Sequence, residues 1–376
     1  MKSQWFALSM LVAACDGDPA SDSAVDAASA DAGPVGGGDA ASSDADAGLV
    51  DPGPLPSLRV VPGELTMTTW TRPGDATSAH VYSLLADGSL RQRLTANEGA
   101  WGLHAVGPDK RHIALVRRMN DAGADDAMGR GVVWIIDVRT RDAWPLTPPE
   151  CDAGLGGLGW RDEVQVVFSM ACGDAPQLYR ASIAVRSRAR SDLLQLTDSA
   201  GGTRDVFTAA RTSIATFVRP CDGIGCEGGA QVWLADLDSG DACAVTPPST
   251  DDATHPALNV DLSAVTYALK GQTHRIGLNV AALYSGDARC GLAETDTVLG
   301  EDLWAQSAGT DEDFPQMATG GGLLAGAVLF VARNAEGRGQ VTLSDRMGTL
   351  TPLSDPAENA TYARWVVDAF DTSGVR

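Results

Sequence analysis

The stretch from Gln231 to Thr246 reads QVWLADLDSGDACAVT, two strand-like runs joined by a turn at Asp238-Ser239-Gly240. Versions of it start at His80 (HVYSLLADGSLRQRLT), Val132 (VVWIIDVRTRDAWPLT), Gln177 (QLYRASI, returning as DLLQLT) and Gln340 (QVTLSDRMGTLTPLS). A divergent version, RIGLNVAALYSGDARCGLA, starts at Arg275. Aligned on one apolar residue, the six copies place Val81, Val133, Leu178, Val232, Ile276 and Val341 in a column, with spacings of 52, 45, 54, 44 and 65 residues. The next column holds Tyr82, Trp134, Tyr179, Trp233, Gly277 and Thr342. A period near 50 built from short strands calls for a propeller.

The first strand of each copy is apolar on both faces, as in Val232 and Leu234 against Trp233 and Ala235. That pattern predicts an inner strand covered by a neighbouring blade on each side. The second strand alternates more weakly, as in Leu90 to Thr95, and predicts a partly solvated outer strand. Two more strand-like runs separate the copies, for example WGLHAV and HIALVRR around the turn Gly107-Pro108-Asp109-Lys110. Each repeat therefore holds four strands, and the chain reads as an all-β six-bladed β-propeller of four-stranded antiparallel blades. Leu65–Trp70 has no partner before it, and Ala360–Phe370 has no complete blade after it. Placing the C-terminal strand in blade one leaves no long edge open. The register of Tyr82, Trp134, Tyr179 and Trp233 predicts blade-to-blade core rather than a recognition stripe.

The pattern W-S-P-D-G, an apolar strand, I-Y-V-x-D-x-x-T-G and a closing L-T resembles the TolB-type propeller repeat. The copies that carry it best are Gly107-Pro108-Asp109 and Trp233 to Gly240, and the resemblance spans roughly Leu65 to Phe370. Two places depart from it. Trp160-Arg161-Asp162-Glu163 lacks the Pro and Gly, and Gly277 stands where an aromatic is expected. The resemblance implies a periplasmic protein-interaction platform, while related propellers also sit beside hydrolase domains.

Residues 1–15, MKSQWFALSMLVAAC, carry Lys2 and an apolar run too short to span a bilayer. The run ends in Leu11-Val12-Ala13-Ala14-Cys15, which resembles a bacterial lipobox with Cys15 as the lipidated sulfur; the alternative is an ordinary signal peptide cleaved nearby. Residues 16–56 are almost only Ala, Asp, Gly, Ser and Pro, with no Lys, Arg, Glu or aromatic residue. Such a segment cannot build a core and is expected to be a disordered tether, with a reach on the order of 35 Å. Residues 57–376 form the propeller. The expected location is the cell envelope, lipid-anchored at the periplasmic face of the outer membrane or at the cell surface, as a monomer.

The full chain carries a net charge of −21. Without the nine Asp and one Lys of residues 1–51, residues 52–376 keep −13. This excludes nucleic acid and anionic lipid as direct partners. The acidic excess concentrates in the loops of one face, here called upper, where outer strands lead to the next blade. It includes Asp121, Asp125, Asp126, Glu150 and Asp152. A long insertion before blade six adds Glu294, Asp296, Glu301, Asp302, Asp311, Glu312 and Asp313. These twelve are the candidate binding residues for a cationic peptide, a basic patch on an envelope protein or polysaccharide-bound cations, unless the acids serve only solubility. Arg186, Arg188 and Arg190 share one turn of the other face.

Seven cysteines are present. Beyond Cys15, six remain for an oxidising compartment. Cys151 with Cys172 and Cys221 with Cys226 are the expected disulfides. Cys243 and Cys290 occupy matching places on adjacent blades, but outer strands splay apart, which leaves that pairing open. No zinc spacing, G-x-S-x-G, H-E-x-x-H, P-loop or dinucleotide fingerprint occurs, so no metal and no cofactor is implied. The main expectation is a non-enzymatic binding platform. An alternative is a propeller lyase or hydrolase with His255, Asp205 and Asp313 at the channel mouth, which requires those groups to converge.

Overall fold

The computed structural model describes residues 58–366, apart from residues 63, 73, 155, 174, 185–186, 209–211, 222–227, 250, 260, 300–310, 319–325, 334–336 and 346–348. Cys15, the 16–56 segment, Cys226, Arg186, Glu301 and Asp302 lie outside the described residues.

Six antiparallel sheets of four strands form the fold. Blade one begins with β1 (Leu65–Trp70), β2 (Ala79–Leu84) and β3 (Gln92–Arg93). Blade two is β4 (Trp101–Val106), β5 (His112–Met119), β6 (Arg130–Asp137) and β7 (Ala143–Pro145). Blade three is β8 (Leu158–Trp160), β9 (Gln165–Met170), β10 (Gln177–Ala184) and β11 (Ala189–Gln195). Blade four is β12 (Arg204–Thr208), β13 (Ile214–Pro220), β14 (Ala230–Asp236) and β15 (Ala242–Ala244). Blade five is β16 (Ala253–Leu258), β17 (Ala264–Leu269), β18 (Gln272–Leu278), the helix α1 (Val280–Ser285) and β19 (Gly291–Val298). Blade six is β20 (Asp311–Met317), β21 (Val328–Arg333), β22 (Gly339–Ser344) and β23 (Leu350–Pro352). The last strand, β24 (Asn359–Trp365), pairs antiparallel with β1 and completes blade one, closing the ring as the unpaired ends of the chain require.

The repeated phrase has a structural cause. Val81, Val133, Leu178, Val232, Ile276 and Val341 are each 0 % exposed. In five blades the N–H of this residue donates to the hydroxyl that ends the phrase. The acceptors are Thr95 (3.2 Å), Thr147 (2.9 Å), Thr197 (2.9 Å), Thr246 (3.1 Å) and Ser354 (2.9 Å). The residue before that hydroxyl donates its own N–H back to the apolar residue's carbonyl, as Leu146 does to Val133 at 2.7 Å. The closing L-T is thus a clamp that pins the outer strand. Burying each aliphatic side chain contributes about 1.5–3 kcal/mol.

The first strand of the phrase is third from the axis, not innermost; the two runs between copies lie nearer the channel. It is apolar on both faces because the cores lie between blades, such as the cluster joining Val232 of blade four to Val265 and Ile276 of blade five. The following aromatics are only half-buried. Arg91 lies 4.0 Å from the Tyr82 ring centre, Arg117 5.5 Å from that of Trp134 and Arg219 5.0 Å from that of Trp233. Guanidinium groups cover the faces that the core leaves open.

Three further expectations change. The run NVAALYS in blade five is α1 rather than strand, ended by Gly286 at φ +76°. Cys243 and Cys290 are bonded, with Cα atoms 5.8 Å apart. The splay of outer strands does not prevent this, because residues 288–290 lie along β15 of blade four. Ala244 N–H donates to Ala288 O (3.1 Å) and Cys290 N–H to Ala244 O (2.9 Å). Finally, the acidic insertion is not one loop. Glu294 and Asp296 lie on β19, and Asp311, Glu312 and Asp313 lie on β20, where their backbones pair with Arg333, Ala332 and Val331. Cys151–Cys172 is bonded as expected, with Cα atoms 4.5 Å apart, and Cys221 is also disulfide-bonded. Among the described residues no helix is long and apolar enough to cross a membrane.

Candidate functional site at the channel mouth

The innermost strands repeat one irregularity. Their pairing slips between Trp101 and His104, between Arg204 and Phe207, between Thr254 and Ala257, and between Asp313 and Gln316. Each slip is a bulge near the upper end of the strand. In three consecutive blades the bulge holds a non-glycine residue in the left-handed region: Asp205 (φ +54°), His255 (φ +49°) and Phe314 (φ +53°). Such a conformation costs roughly 1–3 kcal/mol and persists only where packing enforces it. Blade three has Gly156 and Gly157 at the matching place, at φ +123° and +71°. Proline follows in two bulges, as Pro256 and Pro315, where no ladder N–H is needed.

The bulges turn side chains toward the axis and leave a small cup open to solvent. Every blade contributes to it: Leu103, Gly157, Asp205 to Phe207, His255 to Ala257, Phe314 with Gln316, and Tyr362. The rings form a continuous wall. His255 lies 3.9 Å from Phe314 between ring centres, and Phe314 meets Tyr362 edge to face at 4.9 Å. Asp205 is buried, and its Oδ2 accepts the His255 N–H at 3.4 Å. Arg364, also buried, lies against two of the lining residues. Its guanidinium donates to Leu158 O, lies 3.5 Å from Tyr362 Oη and stands 4.2 Å from the Phe207 ring centre. Bonds between blades keep the cup rigid: Thr208 Oγ1 donates to Trp160 O (2.9 Å), Thr266 Oγ1 to Pro315 O (3.0 Å) and Trp365 Nε1 to Gln316 O (3.3 Å). His104 joins blades one and two between Thr66 and Thr68, and burial pushes its imidazole down to about 3, so it is neutral.

No protein-family model matches the sequence, and no curated protein matches it. Among solved structures, the crystal structure of TolB from Acinetobacter baumannii superposes with a TM-score of 0.58 at 14% identity, over 81% of this chain and 66% of that one. The fold is a TolB-like six-bladed propeller. The match spans just under two thirds of that TolB's length. Putative TolB from Agrobacterium tumefaciens gives 0.47 at 13% identity over 73% of this chain and 93% of that one. The tricorn protease gives 0.42 at 12% identity over 79% of this chain and 30% of that one.

Among the described residues, the TolB-like propeller places the acidic candidates in different blades and gives several of them internal tasks. Asp125 receives two bonds from Arg117, at 2.7 and 2.8 Å. Burial opposes its ionisation, but these bonds prevail and hold its carboxyl below the usual range. Asp121 pairs with Arg130, which also donates to Glu150 O, and Asp121 and Glu150 flank one groove. Asp152 accepts the N–H groups of Gly131 and Gly154, and Asp126 that of Met128. Asp296 accepts the Tyr267 hydroxyl at 2.9 Å and lies 3.4 Å from His274 Nδ1. Glu294 is exposed on β19. Nothing is described of the side chains of Asp311, Glu312 and Asp313. Of the enzyme candidates, His255 and Asp205 do come together, yet Asp205 accepts from the His255 backbone N–H, while the His255 ring lies on Phe314. Among the described residues no three metal-ligating side chains cluster. Sequence reasoning missed Phe314, Tyr362 and Leu103 as site residues. The available signal was the dipeptide X-Pro at His255-Pro256 and Phe314-Pro315, in matching places of two repeats.

Proposed function

We propose that this propeller is a non-enzymatic binding platform at the cell envelope, presenting its upper face to a cationic protein partner. The observation that carries it is the cup. All six blades converge on a largely apolar, aromatic-walled depression with one buried carboxylate in its lining, and hydrogen bonds between blades hold the ring around it. The TolB-like fold supports the same choice, since a closed ring offers one rigid open face for a partner. Net charge favours a cationic one and makes encounter salt-sensitive. Residues 1–15 would direct export and fix Cys15 to lipid, and residues 16–56 would hold the propeller off the membrane.

The test is retention of an envelope protein on the immobilised full chain. Binding should weaken as salt rises and weaken again in the Asp126→Asn/Glu150→Gln variant, whose altered carboxylates are in no ion pair among the described residues. Retention that ignores both salt and the variant overturns the cationic partner. For anchoring, Cys15→Ser should release the protein from the membrane fraction or leave an unprocessed precursor; unchanged detergent partitioning would defeat it. A lyase or hydrolase reading keeps one supporting observation, the meeting of Asp205 with His255. It requires that Asp205→Asn abolish a turnover.

A further inference from the structure

Asp205 is out of place in a structural role. Its residue is 8 % exposed, and its one hydrogen bond among the described residues is the long one from His255 N–H. No Lys, Arg or His side chain lies within ion-pair distance of it among the described residues. The nearest basic neighbour in sequence, Arg204, pairs instead with Asp252 at 3.7 Å. Burying a carboxylate without a compensating cation is strongly unfavourable, so a buried carboxylate that faces a cavity marks a place for an incoming charge.

The fold goes to some length to keep it there. A Cβ on Gly156 would stand 2.0 Å from Asp205 Oδ1, and one on Gly157 would stand 2.1 Å from Val206 N. Only the glycine pair of blade three lets this carboxylate lie across the seam. The walls beside it are the linked rings of His255, Phe314 and Tyr362. A carboxylate next to aromatic faces suits an organic cation, through the ring quadrupole as well as the charge. A bare divalent ion needs several oxygen ligands, and among the described residues Asp205 is the one carboxylate that lines the cup.

A second cation limits where the guest's charge can sit. The buried Arg364 guanidinium lies behind the lining, on Leu158 O and over Phe207. A guest cation drawn toward Arg364 would be repelled, so Asp205 is the place for its charge. The cup is small, and it admits the end of one side chain rather than a strand or helix. We propose that the cup receives one organic cation, the ammonium or guanidinium end of a lysine or arginine side chain on the partner. This deepens the platform reading and rests on it: the acidic face steers the partner, and Asp205 takes its anchoring residue.

The experiment titrates the full chain, in detergent, with the acetylated, amidated peptide Gly-Gly-Lys-Gly-Gly, its arginine and norleucine analogues, and n-butylamine, with binding followed by NMR. The lysine or arginine peptide should bind and the norleucine peptide should not. Asp205→Asn, nearly isosteric, should weaken binding at least about tenfold. Phe314→Leu, which keeps the charge and removes the ring, should weaken it about threefold. Thermal melting establishes that both variants are folded. Equal affinity in Asp205→Asn, or equal binding of the norleucine peptide, overturns the proposal. Butylamine binding as tightly as the peptides would assign the cup to free amines and overturn the partner's side chain as occupant. If Asp205→Asn keeps the peptide while Asp126→Asn/Glu150→Gln loses the protein partner, the cup proposal fails and the platform stands. If Asp205→Asn loses the peptide while the protein partner ignores salt and both variants, the cup stands and the platform reading fails.

Discussion

In blade four, Val232 N–H donates to Thr246 Oγ1 at 3.1 Å, and Val245 N–H returns to Val232 O at 2.8 Å. In blade five a threonine hydroxyl is again the acceptor, but it is Thr295, and its donor is Gly277, one residue beyond the aligned Ile276. The pairing of β18 with β19 breaks between Arg275 and Gly277. A Cβ on Gly277 would stand 2.8 Å from Thr295 Oγ1, which is why the aromatic of the other copies is absent there. The slipped blade is tied to its neighbour instead. Leu283 of α1 is buried, Tyr284 Oη donates to Asp236 Oδ2 at 2.8 Å, and Cys243–Cys290 links the two sheets. A blade with the full phrase holds its own outer strand; a blade that loses register depends on the blade beside it.

The largest effect should come from removing the one strand that no repeat supplies. Deleting residues 359–376 opens blade one and should abolish cooperative unfolding of the whole ring, seen as loss of the sigmoidal melt by circular dichroism. A truncated chain that melts as the intact one does would make both blades' clamps irrelevant to closure. Next is the tie itself. Cys243→Ser with Cys290→Ser opens a 47-residue span, worth about 4 kcal/mol in the chain-entropy model, against about 3 kcal/mol for the 21 residues of Cys151–Cys172. The two denaturant midpoints should fall in that order. The reverse order would show that blade five does not lean on blade four.

A pH scan tests the seam between blades one and two, both of which keep the full clamp on their outer strands. His104 titrates near 3 in the folded ring, below the ordinary histidine value of 6.5, because burial disfavours its charge. Its stabilising contribution is therefore complete above pH 6.5 and is lost as pH falls from there toward 3, at about 1.4 kcal/mol per pH unit. His80, lowered to about 4 by burial and then by Arg93, adds to the slope over part of the same window. His104→Asn should flatten the dependence; an unchanged slope would place the acid sensitivity elsewhere. The smallest effect compares the clamps. Thr246→Val strands the Val232 N–H and should cost about 1–3 kcal/mol. Thr295→Val should cost less, because the helix and the disulfide still hold β19. Equal losses would erase the distinction between the two blades.

The six-blade count was legible because its cause is local. Val232 and Thr246 are fourteen residues apart, within one hairpin, so each repeat carries its own instructions. The acidic insertion was misjudged for a related reason. Glu294, Asp296 and Asp311 lack the apolar alternation of a strand, yet they sit on edge and channel strands, and Asp296 is held by a tyrosine from another strand of its sheet.

From the sequence alone came the number of blades, the identity of their buried columns and the need for the last strand to join the first, since these follow from a pattern repeated along the chain. Tertiary structure alone decided the pairing of Cys243 with Cys290, the internal use of Asp125 and Asp152, and the cup. The cup is assembled from residues about fifty positions apart, such as Asp205, His255 and Phe314, one from each blade. Only closure of the ring sets them side by side, and only the bulge turns them toward the axis.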